Sequence, residues 1–196
     1  MSAKLVLASI SESRRRLLKG AGVVFEALAP EADEEAAKRE LSGAPAAIAA
    51  RLAELKALSI SKRMPDAFVL GADQLLVCEG KIYGKARDQN DARRILRELR
   101  GRKHELITAS VLAKSGTIIW RHNETAALWM RDFSDRFLEA YLNEEKEVVR
   151  NLAGCYRVEG LGAQLFSRIE GDHYAIQGLP LLAVLEALRH HGVITP

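Results

Sequence analysis

Lys4-Leu5-Val6-Leu7-Ala8-Ser9-Ile10-Ser11-Glu12-Ser13-Arg14-Arg15-Arg16-Leu17-Leu18 is the stretch that decides the fold of this chain. The apolar run Leu5 to Ala8 is typical of a buried strand, and the hydroxyl-bearing turn that starts at Ser9 leads into a helix with Ser11 as its predicted N-cap. Three arginines follow in the first turn of this helix, although the N-terminus of a helix already carries partial positive charge. Backbone N–H groups, hydroxyls and guanidinium groups after a strand predict a polyphosphate site. A solvated basic start of a helix is the alternative.

Composition and charge restrict the class of protein. The chain has 196 residues, of which 48% are hydrophobic and 28% charged, which is typical of a soluble globular protein. The net charge is only +3 and aromatic residues make up 6%, so we expect no stable nucleic-acid binding. No apolar run approaches the roughly 20 residues that span a bilayer, and no signal-peptide pattern is present. We therefore expect a cytoplasmic protein without a membrane partner. Cys78 and Cys155 lack C-x-x-C spacing and are expected to be small core residues.

Strand and helix signals alternate along the whole chain, which predicts one α/β domain over residues 1–196. The predicted strands are Leu5 to Ala8, Val23 to Leu28, Ala67 to Ala72, Leu75 to Cys78, Ile82-Tyr83, Glu105 to Ala113 and Thr117 to Arg131. The predicted helices are Glu12 to about Lys19, a long helix opened by Pro45, one capped by Asp88 and running to Leu99, one capped by Ser134 and running to about Glu144, and one from Pro180 to about His190. Residues 154–178 are expected to be strand and turn. The two long strands favour an elongated unit with a central mixed sheet, flanking helices and a cleft for the phosphate site.

Two acidic positions suggest a metal site. Asp73 follows the apolar strand Ala67 to Ala72, and Asp33-Glu34 lies in the charged loop Glu31 to Glu40. A carboxylate after a buried strand faces the crevice in which α/β folds bind ligands. A few carboxylates together with phosphate oxygens suit Mg²⁺. A solvated acidic loop is the alternative for Asp33-Glu34, whereas Asp73 needs a partner because an unpaired buried carboxylate is costly.

Two lysines are candidates for phosphate contacts. Lys56 lies beside a predicted apolar stripe of Ile48, Leu52, Leu55 and Ser59, and Lys85 follows Gly84 after the predicted hairpin. A solvent-facing side chain is the alternative for a lone lysine. The histidines lack zinc-type spacing. A serine-hydrolase elbow and a P-loop are also absent from the sequence, which argues against those two enzyme classes.

These residues, taken in order, resemble the Maf family of nucleoside triphosphate pyrophosphatases from Leu5 to about Leu188. The matching motifs are Leu7-Ala8-Ser9-x-Ser11 with Arg14 and Leu17-Leu18, Asp33-Glu34, Leu52-Ala53-x-x-Lys56-Ala57, Gly71-Ala72-Asp73, Gly84-Lys85, Glu159-Gly160-x-Gly162 and Gly178-Leu179-Pro180. Each motif is weak alone, but seven in order make a strong signal.

The resemblance implies a metal-dependent hydrolysis between the α- and β-phosphates of a nucleoside triphosphate, which gives a nucleoside monophosphate and pyrophosphate. It implies that Ser9, Arg14, Lys56 and Lys85 hold the triphosphate. Glu34 and Asp73 would bind a divalent cation, Mg²⁺ or alternatively Mn²⁺, and place or deprotonate the attacking water. With Lys85 these two carboxylates form the implied catalytic set. The resemblance is also compatible with a homodimer.

The chain departs from the family pattern at a few positions. Where the family often has Ser-Pro-Arg-Arg, this chain has Ser11-Glu12-Ser13-Arg14, so one phosphate contact is either lost or supplied by Arg15. Ala86 replaces the usual proline after Lys85, which is a smaller change.

Two further positions concern the base of the nucleotide. Gln74 and Glu159 are similar to the branch of the family that acts on 7-methyl-GTP, a house-cleaning activity, whereas members acting on dTTP and UTP tend to have Thr and Gln there. A carboxylate only accepts hydrogen bonds, which suits the two adjacent donors of guanine. A dTTP and UTP pyrophosphatase is the alternative within the family. A nucleotide-binding regulator of septum formation with little catalysis is the alternative of another class.

Overall fold

Seven β-strands form one sheet in the part of the chain that the structure, a computed structural model, describes: residues 3–31, 43–146, 149 and 152–195. The strands are β1 (Leu5–Leu7), β2 (Glu26–Ala27), β3 (Phe68–Cys78), β4 (Lys81–Tyr83), β5 (Lys103–Lys114), β6 (Thr117–Met130) and β7 (Phe166–Glu170). Their order is β2-β1-β3-β5-β6-β7, and β4 pairs with β3. β1 is parallel to both β2 and β3, whereas the β3–β4 and β6–β7 pairs are antiparallel. The predicted mixed sheet is confirmed.

Six α-helices accompany the sheet within the described residues. They are α1 (Glu12–Gly20), α2 (Pro45–Ser61), α3 (Gln89–Leu99), α4 (Asp135–Glu144), α5 (His173–Ile176) and α6 (Leu181–His190), and a 3₁₀ turn spans Leu161–Leu165. Two predicted caps are confirmed: Asp88 accepts a 2.8 Å bond from the Asp91 N–H, and Ser134 accepts a 3.2 Å bond from the Phe137 N–H. Ser11 occupies the N-cap position of α1, but its side chain makes no capping bond. The helices of the α/β prediction are therefore present.

The chain divides into two compact units. Unit 1 contains Met1–Gln74, Thr108–Glu124 and Asp172–Pro196, and unit 2 contains Leu75–Ile107 and Thr125–Gly171. Both cysteines lie in unit 2, where they are buried and unpaired with each other as predicted. Among the described residues, no helix is long and apolar enough to cross a membrane.

The core of unit 1 lies between β1, β3, α1 and α6. Its buried side chains include Leu7 of β1, Leu18 of α1, Leu70 of β3 and Leu188 of α6, each with no exposed surface. Burying side chains of this size contributes roughly 1.5–3 kcal/mol each. This packing anchors both the end of β1 and the start of α1, which carry the arginine motif.

Helix α2 approaches β3 very closely at Gly71. A Cβ atom at this position would lie 2.4 Å from the Ala53 carbonyl oxygen and 2.9 Å from the Ala57 Cβ. Only a glycine leaves room for the helix backbone at this distance. The side chain of Lys56, between these two alanines in the sequence, is consequently held near the strand.

Three local predictions differ from the structure. β3 does not end before Asp73 but continues to Cys78, because the polar side chains of Asp73 and Gln74 find partners inside unit 1. β2 is shorter than the predicted Val23 to Leu28. The one-turn helix α5 lies in a region predicted as strand and turn.

The predicted turn between β3 and β4 is confirmed. Glu79 and Gly80 both have positive φ, 50° and 77°, and Cys78 pairs with Lys81 across a two-residue turn. The loop with Asp33 and Glu34 lies outside the described residues.

Candidate functional site

Ser9 lies just beyond the carboxyl end of β1 and is buried. Its Oγ accepts a 3.2 Å hydrogen bond from the Ser11 N–H and a 3.3 Å bond from Arg14 Nη1. The first bond shapes the turn between β1 and α1, and the second joins this turn to the first turn of the helix. The Ser9 hydroxyl thus stabilises the connection between strand and helix that was predicted from the sequence.

Arg14 is the buried member of the arginine triplet, with 8% of its surface exposed. Its Nε donates a 2.8 Å bond to the Gly178 carbonyl oxygen. Gly178 has φ +99°, a conformation that favours glycine. Arg15 instead lies 3.6 Å from Glu12, with half of its side chain exposed, and Arg16 donates to the Gln177 side chain at the surface. Arg14 therefore differs from the two arginines that follow it both in its burial and in its partners.

A buried ion pair joins α2 to β3. Lys56 Nζ lies 2.6 Å from Asp73 Oδ1, and each side chain is only 7% exposed. Lys56 lies in the buried face of α2 rather than beside it as predicted, because Leu55 and Ser59 are only half-buried. The buried face is formed by Ile48, Ala49, Leu52, Ala53, Lys56, Ala57, Ile60 and Ser61. The close approach at Gly71 puts the lysine against the strand.

The second oxygen of Asp73, Oδ2, is buried and has no hydrogen-bond partner among the described residues. A buried carboxylate oxygen without a partner is costly. A cation is the kind of group that removes this cost, so Asp73 fits a role as a metal ligand. Among the described residues, no three His, Cys, Asp or Glu side chains gather as a metal site. The second predicted ligand, Glu34, lies outside the described residues.

The strand register places the Ser9–Arg14 pair and the Lys56–Asp73 pair at one edge of unit 1. β1 and β3 are parallel, with Leu7 opposite Leu70, so Ser9 and Asp73 both follow this pair in the same direction. Leu28, just after β2, bonds to the Leu7 carbonyl oxygen, so β2 ends at this edge too. β1 and β2 end here, whereas β3 continues past Asp73. The carboxyl ends of parallel strands are where α/β folds bind ligands. Unit 1 therefore brings Ser9, Arg14, Lys56 and Asp73 to this edge.

Gln74 follows Asp73 and has its amide nitrogen bonded inside unit 1. Nε2 lies 2.9 Å from Thr108 Oγ1, 2.9 Å from the Ala175 carbonyl oxygen and 3.2 Å from the Ile176 carbonyl oxygen. These contacts fasten β3 to β5 and α5. The sequence contains no signal for these contacts, because nothing near Thr108 in the sequence indicates that it bonds to Gln74 and Ala175.

The remaining predicted site residues, Lys85 and Glu159, belong to unit 2. Lys85 is exposed, and its backbone pairs with Ala153 in an isolated antiparallel bridge. Glu159 is exposed in the turn that precedes the 3₁₀ segment. The structure places each of them in its own surface segment of that unit.

Arg157 and Glu145 form the support of the Glu159 segment. Arg157 Nε lies 3.0 Å from the buried Glu145 carboxylate. A Cβ atom at Gly160 would lie 2.9 Å from Arg157 Nε, and one at Gly162 would lie 2.4 Å from the Arg157 carbonyl oxygen. The two glycines therefore allow the chain to wrap around Arg157. The hydrogen bond that Arg157 Nη2 donates to the Glu145 carboxylate raises the pKa of the guanidinium, and the charge of Glu159 adds to this. Sequence reasoning missed this pair, for which no local signal exists.

The chain is similar to known proteins over nearly its whole length. The family described as Maf-like protein matches residues 4–191. A protein named nucleoside triphosphate pyrophosphatase from Granulibacter bethesdensis is 49% identical, with 98% of this chain and 99% of the relative covered. A protein named 7-methyl-GTP pyrophosphatase from Rhizobium meliloti is 44% identical, with 99% of each chain covered. Another nucleoside triphosphate pyrophosphatase, from Paramagnetospirillum magneticum, is 44% identical, with 97% of this chain and 100% of the relative covered. The chain belongs to the Maf family.

Proposed function

We propose that this protein hydrolyses 7-methyl-GTP between its α- and β-phosphates, releasing 7-methyl-GMP and pyrophosphate. The broader activity is that of its family: as a full-length relative of proteins with that name, the chain is a nucleoside triphosphate pyrophosphatase, a hydrolase. The choice of 7-methyl-GTP is supported by the names of some relatives and by the resemblance of this chain to that branch of the family at positions 74 and 159, of which Glu159 is the proposed contact with the base.

The observation that carries the proposal is the buried Lys56–Asp73 pair with its unpartnered Oδ2. Phosphoryl transfer is catalysed mainly by positioning and by neutralising charge, and it needs no protein nucleophile. A lysine at 2.6 Å from a carboxylate, at the edge where Arg14 and Ser9 also lie, supplies both signs of charge in one place. A pure binder of phosphates has no need of the carboxylate there.

The positively charged groups hold the phosphate chain in this proposal. Arg14 is kept in place by its bonds to Ser9 and Gly178, so its guanidinium is preorganised for an anion. Lys56 contributes a point charge on the buried face of α2. Lys85 is the second lysine of the proposed phosphate-binding set.

Asp73 and Glu34 are the proposed ligands of a divalent cation, Mg²⁺ or Mn²⁺. When bound, such an ion neutralises phosphate charge and lowers the pKa of a coordinated water molecule. Asp73 offers Oδ2 to it while Oδ1 stays with Lys56. One of these two carboxylates also accepts the proton of the attacking water.

Glu159 is the proposed reader of the base. Its carboxylate accepts hydrogen bonds only, and guanine presents N1–H and the N2 amine as adjacent donors. The positive charge that 7-methylation adds to the base favours a carboxylate further. An amide at this position suits thymine or uracil better, since these bases offer one donor between two acceptors.

The test is a pyrophosphate-release assay with Mg²⁺ over 7-methyl-GTP, GTP, UTP, dTTP and ITP, with the products identified. We expect monophosphate and pyrophosphate, fastest from 7-methyl-GTP. Asp73→Asn should abolish metal-dependent turnover, whereas Asp132→Asn, at a side chain that is 91% exposed, should not. Retained activity of Asp73→Asn would show that the assigned metal site is wrong.

The base assignment has its own control. Glu159→Gln should lower kcat/KM for 7-methyl-GTP relative to UTP, whereas Glu186→Gln, on the exposed side of α6, should leave the ratio unchanged. Equal turnover of UTP and 7-methyl-GTP by the wild type, unaltered in Glu159→Gln, would discard the assignment and keep the reaction. No turnover of any nucleotide, with binding intact, would favour the regulator instead.

The proposal also includes a homodimer in the cytoplasm. Sedimentation equilibrium of the purified protein tests the first, and the location of a tagged protein in cell fractions tests the second. A monomer over the whole concentration range, or a tagged protein outside the cytoplasmic fraction, would contradict the respective part.

A further inference from the structure

The carbonyl oxygen of Ala175 is a meeting point of hydrogen bonds inside unit 1. It accepts from Gln74 Nε2, from Thr108 Oγ1 and from the Gly178 N–H, each at 2.9 Å. Thr108 has no exposed surface and Ala175 only 2%. Three donors on one buried carbonyl hold α5 against β3 and β5.

The donor capacity of Gln74 is used up by these contacts. An amide nitrogen carries two hydrogens, and Nε2 of Gln74 lies within 3.2 Å of three oxygens that accept them. The Thr108 hydroxyl accepts a hydrogen bond from Gln74 and donates one to the Ala175 carbonyl oxygen. The amide nitrogen of Gln74 therefore faces the protein interior rather than a ligand.

The same turn holds the arginine of the phosphate site. The Gly178 N–H bonds to Ala175, and the Gly178 carbonyl oxygen accepts the 2.8 Å bond from Arg14 Nε. Arg14 in turn bonds to Ser9. An unbroken series of hydrogen bonds thus connects Gln74 to Arg14 through α5 and Gly178. A shift of this turn would move the acceptor that orients the guanidinium.

We propose that Gln74 and Thr108 are positioning residues, which act through Ala175 and Gly178 on Arg14 and set the affinity for the phosphate chain rather than the choice of base. This inference rests on the proposed function, because it takes Arg14 as a phosphate ligand. It assigns Gln74 a different role from the base recognition that the resemblance implies, and the two roles predict opposite results.

The deciding probe is inorganic tripolyphosphate, which has no base. Its binding is measured by calorimetry without divalent cations, so that the result does not depend on turnover. Gln74→Met keeps the shape of the side chain and removes its donors. We expect its dissociation constant for tripolyphosphate to rise about 10-fold, the effect of one charge-linked hydrogen bond, and its ratio of kcat/KM for 7-methyl-GTP over GTP to stay at the wild-type value.

Matched variants separate positioning from loss of folding. Thr108→Val should weaken tripolyphosphate binding and Thr108→Ser, which keeps the hydroxyl, should restore it. Gln89→Met makes the same exchange in unit 2, where the amide donates one 3.4 Å bond, and should bind like the wild type. In an Arg14→Ala background, Gln74→Met should produce no further loss, because its effect passes through Arg14.

Three outcomes would overturn the inference. Unchanged tripolyphosphate binding of Gln74→Met with an altered base ratio would make Gln74 a direct reader of the base. Additive losses in the Arg14→Ala background would make its role generally structural. A wild type that binds no tripolyphosphate would refute the phosphate site itself, and thus this part of the proposed function as well, whereas the first two outcomes would leave the proposed function standing.

Discussion

Replacing Gly71 by alanine should pull Lys56 away from Asp73. The added Cβ atom would lie 2.4 Å from the Ala53 carbonyl oxygen, 2.9 Å from the Ala57 Cβ and 3.0 Å from the Ala57 nitrogen. Favourable contact begins at about 3.5 Å, so α2 has to retreat from β3 by about 1 Å. Two of these three atoms belong to the helix backbone, which cannot rotate away as a long side chain would.

The size of the effect follows from this displacement. Overpacking of this kind destabilises by about 1–3 kcal/mol. A retreat of about 1 Å would also stretch the 2.6 Å contact between Lys56 Nζ and Asp73 Oδ1 beyond hydrogen-bond length. A misplacement of about 1 Å at a reacting site lowers turnover by up to ~10²-fold, so we expect kcat/KM of the folded variant to fall by up to this factor, in addition to the loss of stability.

The assay combines urea unfolding with pyrophosphate release. Gly20→Ala is the control: it adds the same methyl group at the end of α1, where no atom lies within 4 Å, and should leave stability and kcat/KM near the wild-type values. A Gly71→Ala variant with wild-type unfolding free energy and wild-type kcat/KM would show that the close approach does not hold the lysine in place.

Three further predictions concern single side chains. Burial lowers the pKa of His104 from 6.5 to about 4, so the folded protein binds fewer protons than the unfolded chain between these pH values. The unfolding free energy should therefore fall by up to about 3 kcal/mol as the pH drops through this range. His104→Phe should flatten this pH profile in denaturant titrations, and an equally steep profile would contradict the assignment to His104. Arg14→Lys loses the geometry that reaches both Ser9 and Gly178, so steady-state kinetics should show KM for the triphosphate raised by ~10-fold, and an unaltered KM would remove Arg14 from the phosphate site. Ser134→Ala removes the cap of α4 and should lower the unfolding free energy by about 1 kcal/mol with kcat/KM unchanged; the absence of any change in chemical denaturation would mean that the cap contributes nothing.

Local signals explain which parts of the fold could be predicted from the sequence. The helices after Asp88 and Ser134 begin where a capping residue and an apolar period coincide, and both caps are present in the structure. The turn at Glu79-Gly80 is equally local. These features depend on residues a few positions apart, so their neighbours in the sequence are also their neighbours in space.

Other features depend on contacts between distant parts of the chain. β3 continues through Asp73 because Lys56, on a helix 17 positions earlier, pairs with it. Arg14 differs from Arg15 and Arg16 because its acceptor, Gly178, lies 164 positions away. The resemblance to the Maf family named the residues of the site, but it did not say which arginine is buried or where the amide of Gln74 points. The functional roles of all the site residues, with Glu34, Lys85 and Glu159 among them, stay predictions.

If the proposed function holds, the Lys56–Asp73 pair serves the reaction at a cost in the stability of the fold. Removing two opposite charges from water is costly, and replacing a buried ion pair by apolar residues of similar volume is often neutral or stabilising. A double variant such as Lys56→Met with Asp73→Leu would relieve the buried, unpartnered oxygen and fill the same space. Directed evolution for heat resistance alone would therefore tend to discard this pair, and only selection that also demands turnover would retain it.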